Sequence, residues 1–79
     1  MGAGIRNEFE IGDKVVISAG GGWEKDFTGL IDSVPSSVET RQGEDYMYWV
    51  SFDEEQNDTD GDGPYFKAEI LSRYIQHAK

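Results

Sequence analysis

The chain has 79 residues, sixteen acidic against seven basic side chains, a formal charge of −9 and no cysteine. This length makes one domain with a small core, since a domain of this size buries only about 60% of its unfolded surface. Without a basic patch, the acidity excludes nucleic acid and anionic membranes as expected partners, and the lack of cysteine excludes disulfides and thiolate chemistry.

Residues 1–8 predict a flexible N-terminal lead-in to a single domain over residues 9–77. The chain has no apolar run of about 20 residues, the length of a membrane span, and no signal-peptide core at its start. We therefore expect a soluble, cytoplasmic protein.

The first predicted strand is the β-branched run at residues 15–17. Residues 20–22 are consecutive glycines and predict a loop rather than a phosphate cradle, because no Lys-Ser/Thr pair follows them. Trp23 and Phe27 come next, on either side of a polar turn. They either fill the core at a barrel mouth, which we favour, or serve as exposed recognition aromatics.

Residues 28–34 predict a second strand in which Gly29 indicates a bulge or a close backbone approach. Pro35 ends this strand, because proline cannot donate to a sheet ladder. The polar residues 38–45 then predict a long hairpin loop.

Residues 46–52 form the densest aromatic and β-branched stretch of the chain and predict the central strand. Period-two alternation places Tyr46, Tyr48, Val50 and Phe52 on one face. The other face carries Met47, Trp49 and Ser51, so we expect both faces to be at least partly covered.

The C-terminal part predicts a short strand at residues 64–67 and a helical turn at residues 68–71. Residues 73–76 either continue that turn or form a last strand that returns to the first. The fold class predicted is therefore all-β: a small barrel of about five short antiparallel strands with one short helical turn before the last strand.

This order of features resembles the SH3-like barrel superfamily. Within it, the chain is most similar to the group formed by the small type-E proteins of photosystem I and the ferredoxin–thioredoxin reductase variable chain. The resemblance is carried by residues 12–17, Trp23, residues 29–31, residues 48–53 and residues 68–71. It implies a non-catalytic module that docks a protein partner or stabilises a larger complex. The same pattern is similar to KOW-type barrels, which implies nucleic-acid binding as a weaker alternative.

A partner-binding surface is expected where aromatic side chains remain exposed, because SH3-type grooves bind extended peptides over aromatics, with nearby acids selecting arginine or lysine. The candidates are Trp23, Tyr46, Tyr48 and Trp49. We expect a protein partner with a cationic surface, and a chain that is monomeric alone.

The acidic segment, residues 53–62, contains the one pattern typical of a metal site. Counting from Asp58, carboxylates stand at positions 1, 3, 5 and 12 (Asp58, Asp60, Asp62 and Glu69), with Gly63 at position 6, which is the spacing of an EF-hand calcium loop. The entering helix of an EF-hand is missing. The alternatives are a weak Ca²⁺ site and a solvated acidic loop without any cofactor.

No catalytic constellation is present. His77 is the single histidine and lies near the end of the sequence, and no histidine stands close to Ser36 or Ser37 in sequence to activate either hydroxyl. We therefore expect that the chain is not an enzyme.

Overall fold

The computed structural model describes residues 9–78, which form a small, curled, antiparallel all-β half-barrel. This confirms the predicted fold class and is compatible with an SH3-like small barrel. The elements, in chain order, are β1 (Lys14–Ile17), a first 3₁₀ turn (Ala19–Gly21), β2 (Phe27–Ile31), β3 (Ser36–Thr40), β4 (Gly43–Gln56), β5 (Tyr65–Leu71), a second 3₁₀ turn (Ser72–Tyr74) and β6 (Ile75–His77).

Strand β4 is the central strand of the sheet and pairs with β2, β3 and β5. Its Met47 pairs with both β3 and β5, and its Val50 pairs with both β2 and β5. Because a strand has only two edges, β2 and β3 must follow each other along one edge of β4, and β5 occupies the other. The sheet continues from β2 to β1 and then to β6.

The core lies on the concave side of this sheet. Tyr48 and Val50 of β4 are 1% and 0% exposed, while Trp49 between them is 40% exposed. This is the predicted alternation of a central strand, but its convex face is more open than we expected. The remaining buried apolar residues are Phe9, Val15, Ile17, Trp23, Phe27, Ile31, Ile70 and Ile75.

Gly29 marks a close approach between β2 and β4, as its position in the second strand predicted. It pairs with Phe52, and a Cβ at this position would lie 2.5 Å from the Ser51 carbonyl oxygen and 2.9 Å from Val50 Cγ1. Any side chain here would push the two strands apart.

The long loop predicted at residues 38–45 is wrong. Residues Ser36–Thr40 form β3, which pairs with β4 through a turn of two residues between Thr40 and Gly43. The Thr40 hydroxyl closes this turn by donating to the Gly43 carbonyl (2.7 Å) and accepting from the Gln42 amide (3.1 Å). Sequence polarity misled the prediction because β3 is largely exposed and needs few apolar residues.

The helical turn predicted at residues 68–71 is also displaced. Those residues belong to β5, where pairing with β4 overrides their helix propensity, and the 3₁₀ turn lies at Ser72–Tyr74. Of the two alternatives for residues 73–76, the last strand is confirmed for Ile75 and Gln76, which lie in β6 and pair with β1, whereas Arg73 and Tyr74 belong to the 3₁₀ turn.

The predicted lead-in, residues 1–8, lies outside the described residues. Within residues 9–78, no helix is both long and apolar enough to cross a bilayer.

Candidate functional site: the outer face of β4 and the acidic segment

The four candidate aromatic residues do not share one surface. Trp23 and Tyr48 belong to the core, with 9% and 1% of their surface exposed. Tyr46 is half-buried and packs against that core. Trp49 is the most exposed of the four, at 40%.

Trp49 is held outward by the segment that follows β2 on one side and by β5 on the other. Its amide donates to the Ser33 hydroxyl (2.9 Å), its carbonyl accepts from the Asp32 amide (2.8 Å), and across the other edge it faces Glu69 of β5. Because side chains alternate along a strand, burial of Tyr48 and Val50 leaves the Trp49 indole no route to the core.

The side-chain ammonium of Lys67 lies over the Trp49 ring. The Lys67 ammonium lies 5.4 Å from the ring centroid and 3.1 Å from the Asp32 carboxylate, which also accepts from the Ser51 hydroxyl (3.0 Å). Hydrogen bonds from Lys67 and then from Ser51 hold the pKa of Asp32 below its ordinary value. Indole and carboxylate together therefore make a small cation-binding arrangement on the surface.

Apolar side chains flank this arrangement. Leu30 of β2 pairs with Ser51, which makes it a diagonal neighbour of Trp49, and it is 41% exposed. Val34, just after β2, is 70% exposed. We call Leu30, Asp32, Trp49 and Lys67 the Trp49 face. Leu30 was not among the predicted site residues. The sequence contained a signal for it, because Phe27, Gly29 and Ile31 point inward and alternation along β2 then places Leu30 on the outer face.

A second ion pair borders the Trp49 face. Asp53 accepts from the Thr28 hydroxyl (2.6 Å) and from the Lys14 ammonium (2.9 Å). These two hydrogen bonds, with that of Thr28 the larger influence, lower the pKa of Asp53. The basic residues of this face are thus already matched by acids of the chain.

Three acids of the predicted calcium pattern come together. Carboxylate oxygens of Asp58, Asp60 and Asp62 lie within 4.8 Å of one another. Asp58 Oδ1 orders the loop by accepting from the amides of Asp60 (3.0 Å) and Asp62 (2.9 Å). Gly63 follows with a φ of 133°, a backbone conformation that favours glycine.

The fourth predicted ligand is not part of this group. Glu69 lies within β5, opposite Trp49, and the carboxylates grouped among the described residues are the three aspartates alone. The pattern of EF-hand spacing assumes that a helix follows the loop, whereas here a strand carries Glu69 away.

The acidic segment is tied to the aromatic core. Trp23 forms an isolated bridge with Asp58, and the Thr59 amide donates to the Gly22 carbonyl (2.9 Å). Desolvation, and then the negative charges of Asp58 and Asp62, raise the pKa of Tyr65. The Trp23 ring in turn meets Tyr65 edge-on at 5.7 Å. The loop is therefore anchored at both ends.

Comparison of this chain with models of protein families, with curated proteins and with solved structures finds no match.

Proposed function

We propose that this chain is a non-catalytic protein-interaction or complex-stabilising module, and that the Trp49 face docks a cationic surface of its protein partner. The observation that supports this most is the exposure of Trp49 in the middle of a regular central strand. Tryptophan is enriched among the residues that dominate binding energy at interfaces, and exposed apolar groups that lie together commonly mark such sites.

The local charges indicate what kind of partner fits. Lys67 already places an ammonium between the Trp49 ring and Asp32, so the face binds a cation within its own chain. An arginine or lysine of a partner can compete for the same indole and carboxylate. The net charge of −9 adds long-range attraction toward a basic surface.

The resemblance to the SH3-like barrels of the photosystem I type-E group is consistent with this role, because such proteins are docking or stabilising modules. We propose the same class of function here with the opposite electrostatics. A module that docks an acidic partner needs a basic surface. This chain is strongly acidic, so the partner that we propose for it is basic. The same charge argues against the KOW-like nucleic-acid alternative and against membrane binding. We propose a cytoplasmic protein that is monomeric alone.

The test is capture from a lysate of the source cell on immobilised protein, with wild type compared with Trp49→Ala and Leu30→Ala. The control is Ile11→Ala, which removes an apolar side chain that is more exposed, at 63%, and lies outside the strands. We expect a basic protein that wild type and the control retain and that both face variants lose. Equal recovery on all four would contradict the Trp49 face as the docking site.

The alternative function is calcium binding, which the grouping of Asp58, Asp60 and Asp62 favours. Carboxylate oxygens are the ligands that Ca²⁺ prefers, and Ca²⁺ takes six to eight of them. Three aspartates without Glu69 would need water to complete the sphere. We therefore propose a weak site, with a Kd of about 10⁻⁴–10⁻³ M.

Thermal melts with Ca²⁺ against NaCl at matched ionic strength test the calcium alternative. Ca²⁺ at about 100 times its Kd adds about 2.7 kcal/mol to the free energy of unfolding. Asp60→Asn/Asp62→Asn should abolish this gain, while Glu54→Gln/Glu55→Gln, with the same change in charge, should keep it. A gain that is absent, or equal in both double variants, would eliminate the site.

A further inference from the structure

Strand β5 has an open edge. Among the strands of residues 9–78 it pairs with β4 alone, so its second edge carries main-chain groups with no strand beside them. An open edge is a template on which another extended segment can add as a strand.

The hydrogen bonds of Trp49 show which groups face that edge. Its amide and its carbonyl both point to the β2 side of β4, toward Ser33 and Asp32. The pair of Trp49 with Glu69 is therefore a non-hydrogen-bonded pair of the β4–β5 ladder. It follows that the amide and carbonyl of Glu69, and those of Lys67 two residues before it, point away from β4 to the open edge.

A cleft of about 220 Å³ lies beside the C-terminal end of β5. It is lined by the consecutive β5 residues Glu69, Ile70 and Leu71 and by Met47 of β4, which pairs with Leu71, so the cleft borders the end of β5. Gly21, Trp23 and Tyr74 complete its lining. The cleft thus offers an apolar pocket to a side chain of an incoming strand.

Negative charge borders this edge. The negative charges of Asp58, Asp60 and Asp62 act on Tyr65, the first residue of β5, and Trp23 of the cleft forms a backbone bridge with Asp58, so the three grouped aspartates lie near both. A second copy of the chain would bring a further charge of −9 to this edge, which disfavours self-association and favours a basic partner.

We propose that the open edge of β5 binds an extended, cationic segment of a partner protein as an additional strand. Main-chain hydrogen bonds to Lys67 and Glu69 hold the segment, an apolar side chain enters the cleft at Trp23 and Tyr74, and basic side chains face Asp58, Asp60 and Asp62. This goes beyond the Trp49 face, since it is a different surface that recognises main chain.

The probe is a capped heptapeptide of alternating arginine and valine, titrated at physiological ionic strength so that non-specific attraction is screened. Two control peptides carry N-methyl groups, one on all arginine amides and the other on all valine amides. In a strand these two sets of amides face opposite edges. We expect that one methylated peptide binds at least about tenfold more weakly and the other binds like the parent.

Two measurements on the protein complete the test. Saturation with the parent peptide should slow hydrogen exchange of the Lys67 and Glu69 amides at least about tenfold. Glu69→Pro, which lacks the edge-facing donor, should weaken binding about tenfold more than Glu69→Gln, which loses the same charge but keeps the donor, whereas Leu30→Ala should leave binding within about twofold of wild type.

No binding, equal binding of both methylated peptides, or unchanged exchange at Lys67 and Glu69 would overturn the proposal. The Trp49 face is judged separately, because Leu30→Ala affects it and not the β5 edge.

Discussion

At the scale of single residues, the Asp45 carboxylate connects two distant segments of the chain. Its carboxylate accepts from the Ser72 hydroxyl (2.7 Å), the Tyr46 amide (2.7 Å) and Arg73 Nε (2.9 Å). Its side chain is 15% exposed. It therefore joins the start of β4 to the second 3₁₀ turn, two segments that are distant in the sequence.

We expect Asp45→Ala to lower the free energy of unfolding by about 1.5–3 kcal/mol, because hydrogen bonds to a charged group are lost and their donors are left behind. Urea unfolding measures this. The matched control is Glu54→Ala on the same strand, which should change the free energy of unfolding by less than about 0.5 kcal/mol. A small effect at Asp45 would show that its contacts do not persist in solution.

Asp45 should also make stability depend on pH. Burial raises its pKa, but the hydrogen bonds from Ser72, Tyr46 and Arg73 outweigh burial and leave the pKa below the ordinary value of 3.8. A lowered pKa contributes stability that is complete above the unfolded value and is lost as the pH falls through the folded value. The stability difference between wild type and Asp45→Asn should therefore be constant above about pH 5 and shrink below about pH 4. A difference that does not change with pH would contradict this role.

Gly29 tests the close approach of β2 and β4. Gly29→Ala should cost about 1–3 kcal/mol or more, because a Cβ 2.5 Å from the Ser51 carbonyl forces backbone to move. Gly20→Ala is the control, since its Cβ would meet only the Ser18 hydroxyl of an exposed turn, at 3.3 Å, and a ring atom of Tyr74 at 3.9 Å. Denaturant melts should separate the two variants clearly; equal stability would contradict the observed packing.

At the scale of elements, β3 was the strand that sequence reasoning missed. The ladder places Ser36 opposite Met47 and Val38 opposite Asp45. The amide and carbonyl of Trp49 face the edge of β4 that β3 also occupies, and so do those of Asp45, four residues before Trp49. Val38, opposite Asp45, should therefore form main-chain hydrogen bonds with β4. The amide of the neighbouring Ser37 should point the other way, to the unpaired edge of β3.

We therefore expect Val38→Pro to destabilise the protein by about 1 kcal/mol or more through a lost ladder bond, and Ser37→Pro to be tolerated. Thermal melts of the two neighbouring variants decide this. The reverse order, or equal effects, would mean that the register of β3 is different.

Sequence reasoning succeeded where burial and pattern coincide. Residues 46–52 are the densest apolar stretch and form the central strand, and Tyr48 and Val50 share one buried face as period-two alternation predicts. It failed where an element is held by pairing alone. β3 is polar, and β5 contains good helix formers, so their strand state follows from lying along β4 rather than from their own residues.

The candidate sites show the same division. The sequence grouped the three aspartates correctly, because they lie within one short turn. It could not place Glu69, which depends on the direction of β5, nor tell which aromatics are exposed, which depends on the curl of the sheet. Leu30 became a candidate only when its neighbours across β2 and β4 were known.

At the scale of the whole molecule, charge dominates. The acidic segment contains six acids and no base, and the whole chain carries −9. The exposed ion pairs of Lys14 with Asp53 and Lys67 with Asp32 each contribute little to stability, because solvent screens them. Self-repulsion should therefore outweigh them.

We expect NaCl to stabilise the protein by screening that repulsion. A gain of about 1 kcal/mol raises the Tm of a domain of this size by about 4–8 °C. The measurement is a series of thermal melts from low to moderate ionic strength. A Tm that falls with added salt would mean that the ion pairs dominate instead.

The central claim is that β4 separates a structural face, with Tyr48, from a binding face, with Trp49. The most direct test is the affinity of the captured partner, measured by calorimetry beside the free energy of unfolding, for the two neighbouring alanine variants. Trp49→Ala should weaken binding about 30-fold or more and change stability by less than about 1 kcal/mol. Tyr48→Ala should lower stability by about 3–5 kcal/mol. Unchanged affinity in a folded Trp49→Ala would contradict the claim.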